Sequence, residues 1–157
     1  MDIKHKLMKI YIDQSNKIEQ TQKDTILGLC NGKEFAIIIP RKIKREIQKL
    51  FRTNKKPALF VYRTFIAGVV LLLHYAKLNL SQSDSIVIDI EYFGKNKLLK
   101  SMFLEMYSRY FDRIPHLYFQ KIGKKSGAHK ISYLTSTKKR KADKLLVLQE
   151  VRKLTIR

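Results

Sequence analysis

The sequence predicts an α/β domain on a mixed five-stranded sheet, three antiparallel N-terminal strands and two further parallel strands, flanked by helices. Three observations predict it. Short runs rich in β-branched and aromatic residues occur at residues 9–13, 25–30, 33–39, 86–92 and 116–122. Asn31-Gly32 joins the second and third, the strongest two-residue signal for a tight hairpin. Segments with apolar residues at helical spacing separate the third, fourth and fifth, giving the order strand, strand, strand, helices, strand, helix, strand.

Each element has a local reason. The first strand, Lys9-Ile10-Tyr11-Ile12-Asp13, alternates and then meets Gln14-Ser15-Asn16, a turn signal. Pro40 closes the third strand, after which Ile43, Ile47, Leu50 and Phe51 recur at helical spacing among Arg41, Lys42, Lys44, Arg45, Lys49 and Arg52. This predicts a basic amphipathic helix. Residues 53–57 punctuate it, and residues 58–78 form a long apolar segment, read mostly as helix, that contains neither Asp nor Glu. Its most apolar part, residues 65–73, lies between Arg63 and His74 and falls short of the roughly 20 residues of a membrane span. A buried helix is expected there, and no membrane span.

After a polar loop at residues 81–85, Ile86-Val87-Ile88-Asp89-Ile90-Glu91-Tyr92 suits a buried parallel strand closed by two acids. Leu98, Leu99, Met102, Phe103, Met106, Tyr107 and Tyr110 mark the next helix, and Pro115 precedes the fifth strand. The basic turn Gly123-Lys124-Lys125-Ser126-Gly127 and a mixed segment follow as far as Arg140. Leu145, Leu148, Val151 and Leu154 predict a closing amphipathic helix over residues 141–154, with Asp143 in its first turn. Residues 1–157 thus read as a single domain, and a hydrophobic fraction of 45% supplies its core.

Charge narrows the partner. Lys and Arg number 33 against 13 Asp and Glu, a formal charge of +20. A polyanion is the natural ligand, and nucleic acid is expected, bound with steep salt dependence as phosphate contacts release counterions. An anionic membrane surface is the main rival. Cys30 is the only cysteine, which excludes an intrachain disulfide and a Cys-based zinc cluster and predicts a reducing, cytoplasmic setting. Residues 1–9 mix charged and apolar residues without the apolar stretch of a signal peptide. Oligomeric state is left open, a homodimer included.

With so few acids, their positions carry information. Asp13 ends the first strand, Asp89 and Glu91 end the fourth, and Asp143 follows Ala142 near the last helix. Alternate residues of a strand share a face, so Asp89 and Glu91 point together if the strand persists through Tyr92. Strand C-termini in an open α/β sheet are where ligand sites are expected. The other reading gives these acids separate structural roles: Asp13 capping a turn, Asp89 in a buried hydrogen bond, and Asp143 stabilising a helix N-terminus.

Taken in order, Ile10-Tyr11-Ile12-Asp13, the adjoining hairpin, Ile86-Val87-Ile88-Asp89 and Ala142-Asp143 resemble the RNase H-like superfamily, which includes RNase H, RuvC-type junction resolvases and integrase-type transposases. The resemblance covers nearly the whole chain. It implies two-metal phosphodiester hydrolysis, with Asp13, Asp89, Glu91 and Asp143 as catalytic ligands of Mg²⁺ or Mn²⁺. RNase H proper takes a glutamate from the helix after the third strand, and the apolar segment offers none. Glu91 would replace it, as in the resolvase branch. A binding-only protein on the same fold is the alternative.

For the nucleic-acid backbone the candidates are Arg41, Lys44 and Arg45 on the basic helix, Lys124 and Lys125 in the turn, His129, and the run Lys138, Lys139, Arg140 and Lys141. An imidazole can exchange protons near neutral pH, so His129 is read either as assisting at a phosphate or leaving group or as a plain surface residue. Tyr92, Phe93, Tyr107, Tyr110, Tyr118 and Phe119 are read as stacking surfaces or as core.

Overall fold

A computed structural model describes residues 7–124 and 126–156. Strands β1 (Lys9–Ser15), β2 (Thr25–Cys30) and β3 (Glu34–Ile39) pair antiparallel in sequence order. Strand β4 (Ser85–Asp89) lies parallel to β1, and β5 (His116–Gln120) parallel to β4. The sheet has six strands rather than the five expected, in the order β5-β4-β1-β2-β3-β6. Its added member, β6 (Lys144–Leu145), runs parallel to β3.

That sixth strand corrects the closing helix. Leu145 is 58% exposed, Leu146 1% and Val147 53%, the period-2 alternation of an edge strand rather than a helical stripe. Asp143 N–H donates to Ala36 O and Leu146 N–H to Ile38 O, fastening the segment to β3. The helix proper, α5, is Leu148–Thr155. A second correction is α4 (Gly127–Ser136), which fills what reads in sequence as a mixed segment.

Helices α1 (Arg41–Thr53), α2 (Phe60–Tyr75) and α3 (Asn96–Tyr107) fall where the periodicity predicts. Their packing gives the sheet two unlike faces. Leu27 and Gly28 are neighbours on β2 and point to opposite sides. A Cβ on Gly68 of α2 would lie 2.7 Å from Leu27 Cδ1, so α2 packs closely on the Leu27 side. A Cβ on Gly28 would lie 2.9 Å from Ala128 O and Ser132 N of α4, so α4 covers the other.

The α2 side holds the main core, including Ile10, Ile12, Ile86 and Ile88 of the central strands, with α1, α3 and α5 against α2. Under α4 the apolar cluster is small, Ile26, Ala36 and Ile131 with Cys30 and Ile38 at its margin. Residues 57–75 run as one helical stretch of 19 residues, longer than the apolar core read from sequence and sufficient by length and composition to cross a membrane. Phe65 to Leu73 of that stretch are buried in the fold.

Candidate metal centre

Register brings the first two acids together. Ile12 pairs with Ile88 across the parallel β1–β4 ladder, so Asp13 and Asp89 are the next residues along neighbouring strands. Ile12 and Ile88 face the main core, and one residue further the side chains turn to the α4 face. Strand pairing stops at Asp89 and does not reach Tyr92, so Glu91 is held by the loop beyond the strand rather than by alternation. It still joins the group: ligand oxygens of Asp13, Asp89 and Glu91 lie within 4.8 Å of one another.

The surroundings fix each carboxylate differently. Asp13 is 4% exposed, and its Oδ2 accepts from Ser132 Oγ at 3.2 Å and contacts His129 Nδ1 at 2.9 Å. Asp89 Oδ1 accepts the Ile122 N–H at 2.8 Å, which ties the end of β4 to the segment after β5. Burial, then the charge of Asp89, raises the Asp13 carboxyl above its usual range, against the hydrogen bonds from His129 and the Gln14 backbone. Burial, then the charges of Asp89 and Asp13 and a hydrogen bond shared with Asp89, pushes Glu91 up to about 8. Without a cation, Glu91 holds a proton at neutral pH.

Helix α4 supplies the remaining groups. Ser126 caps it, its Oγ accepting the His129 N–H at 3.0 Å. Gly28, directly opposite Asp13 in the β1–β2 ladder, lets the helix approach closely enough for His129 and Ser132 to reach that carboxylate. Proton donation from Nδ1 to Asp13 leaves the Nε2 lone pair of His129 available as a base or ligand. A recess of about 350 Å³ adjoins the acids, with Lys121, Lys124, His129 and the 84% exposed Phe93 along its walls.

Asp143 does not join the cluster. It lies at the opposite edge of the sheet beside β6, where Oδ2 accepts from Ala36 N–H at 2.8 Å and Arg140 Nη2 at 3.0 Å. Its place in sequence suggested a helix; in space it zips the edge strand. Lys44 also departs from expectation: it is fully buried, and Nζ donates to Gln20 O at 2.8 Å and Thr25 Oγ1 at 2.9 Å. That ammonium ties the β1–β2 loop to α1 and is out of reach of a phosphate.

The other basic residues divide by position. Lys124 borders the acid recess, while Lys125 lies outside the described residues. Arg41, Arg45, Lys138, Lys139 and Lys141 are exposed, and Arg140 is engaged by Asp143 and backbone carbonyls. Among the aromatics, Tyr92 and Tyr107 are buried, Tyr110 and Phe119 pack against the core, and Phe93 and Tyr118 are exposed. Lys121 and Ser132 were not legible as site residues. Ser126 with buried Ala128, Ile131, Ser132 and Thr135 is the capped helical pattern that signals α4. No family model, no curated protein and no solved structure matches the chain.

Proposed function

We propose that this protein is a Mg²⁺- or Mn²⁺-dependent nuclease that hydrolyses phosphodiester bonds in nucleic acid on an RNase H-like sheet. The carrying observation is that Asp13, Asp89 and Glu91 converge within 4.8 Å in a chain of net charge +20. A strongly basic protein that gathers three of its few acids at the ends of adjacent parallel strands holds a site for a cation. The arrangement of β1 to β5 supports the RNase H-like reading. The sixth strand is an addition to it.

The donor set fits the metal. All three ligands are hard carboxylate oxygens, as Mg²⁺ and Mn²⁺ prefer, and their mutual repulsion is what a divalent cation relieves. When bound, the metal supplies an activated water and withdraws charge from the phosphate. The chain's own groups do the rest. Asp13 orients His129 through Nδ1, so that Nε2 faces the reaction as a proton acceptor or donor. Lys121 and Lys124 hold the phosphate backbone at the rim of the recess.

Single-stranded, duplex, hybrid and branched substrates incubated with Mg²⁺ or Mn²⁺ test this. Cleavage of at least one is expected, reduced at least about a hundredfold by Asp89→Asn or Glu91→Gln, since the metal contributes several kcal/mol to the transition state. Salt-sensitive binding without any metal-dependent cutting would contradict the nuclease reading and leave a binding protein.

A further inference from the structure

Next to the acid recess, across helix α4, lies a second and larger one that the chemistry above does not use. It measures about 600 Å³, within the roughly 300–1,000 Å³ of small-molecule sites. Ile26 and Ile38 give it apolar surface, the 53% exposed Tyr133 forms a side, and Lys23, Arg41 and Lys138 line it with positive charge. Among the described residues, no carboxylate lies within salt-bridge distance of those three cations. Asp24, also in the groove, has Oδ1 engaged by the Arg41 backbone N–H at 2.8 Å.

The two recesses have no lining residue in common, and a pair of neighbouring rings stands between them. His129 lines the acid recess and Tyr133 the basic groove, one helical turn apart, with centroids 6.3 Å apart and planes inclined by 14°. Tyr133 thus stands on the groove side of the residue that contacts Asp13, one turn of α4 from the carboxylates. The groove offers a nucleotide both things it needs: an aromatic and aliphatic surface for the base and cations for the phosphate.

We propose that this groove is a subsite for an unpaired nucleotide of the bound strand, its base stacked on Tyr133 and its phosphate held by Lys23, Arg41 and Lys138. The inference rests on the nucleic-acid part of the proposed function and adds the substrate class: a strand that is single-stranded beside the position of cleavage. A base inside a continuous duplex shows only its edges to a protein, so the face of Tyr133 is useful only to a base out of that stack.

Fluorescence anisotropy in EDTA at fixed salt tests it independently of cleavage. The probes are labelled oligothymidylate and oligouridylate of about fifteen nucleotides and a blunt DNA duplex of similar length. Tyr133→Ala is expected to weaken single-strand binding about tenfold in at least one arm and duplex binding less than about twofold. Tyr133→Phe keeps the ring and the affinity; the arm with the larger loss identifies the strand whose bases stack more strongly on Tyr133. Lys23→Gln with Lys138→Gln should lower the salt slope for single strands by up to about 0.7, the value for one phosphate no longer neutralised.

No loss in Tyr133→Ala, or an equal loss on duplex, overturns the subsite while leaving the nuclease reading intact. Failure of the wild-type protein to bind any probe overturns the nucleic-acid reading as well. Strand binding as expected in a protein that never cuts overturns only the nuclease.

Discussion

Glu91 is the residue whose chemistry depends most on what occupies the site. Its carboxyl titrates near 8 in the metal-free fold, against about 4.5 for a free glutamate, because it is desolvated beside two other acids. Between those values the folded chain binds more protons than the unfolded one, so stability falls as pH rises through this window. The raised Asp13 carboxyl contributes with the same sign. The metal-free melting temperature should therefore drop from about pH 5 to about pH 8, and Glu91→Gln should flatten the drop. Binding of Mn²⁺ near pH 7 should release about one proton, measurable by calorimetry in buffers of different ionisation enthalpy. Lys44 is the opposite case, a cation used for architecture. Its amine is lowered to about 8, chiefly by burial, and donates to the β1–β2 loop. Lys44→Met should cost about 1–3 kcal/mol in denaturant unfolding, as hydrogen bonds to buried groups are lost. It should leave oligonucleotide affinity within about twofold. A basic helix in sequence does not reveal which of its lysines points inward.

At the scale of elements, α4 brings His129 and Ser132 to the acids, the groups the proposed function needs beside them. Its seating depends on Gly28, where an added methyl would meet Ala128 O and Ser132 N at 2.9 Å. Gly28→Ala should destabilise the fold by about 1–3 kcal/mol, the range for overpacking, and lift His129 from Asp13. A lowered melting temperature and displaced His129 imidazole signals in NMR spectra would show this; an unchanged protein would mean that α4 is not positioned there. Strands β1 to β5 were legible because their β-branched runs and turn residues are local signals. Helix α4 was less legible because its buried face uses small and polar residues, Ala128, Ser132 and Thr135, which a search for apolar periodicity passes over. The segment at Asp143 misled for a related reason: Leu145, the first of the residues spaced for a helix, lies on the exposed side of an edge strand. Asp13 and Asp89 could be placed from strand order, whereas Glu91 reached them through a loop that no periodicity describes.

Over the whole molecule, charge and topology act together. Thirty-three basic residues favour the proposed polyanionic partner, and the parallel β1–β4 pair sets Asp13 and Asp89 side by side, where the proposed reaction places the phosphate. The α2 side holds the main apolar core, and the α4 side, closely seated but with a small apolar cluster, carries the polar groups, so the site can be polar without opening the main core. Composition alone shows the net charge of +20 but not the division of labour between faces, which arises only when β1 and β4, far apart in sequence, become neighbours. The most direct test is anomalous diffraction from crystals soaked in Mn²⁺. The account predicts a manganese peak among Asp13, Asp89 and Glu91, with carboxylate oxygens at about 2.0–2.2 Å. Saturating Mn²⁺ that leaves those three carboxylates without a peak would contradict it.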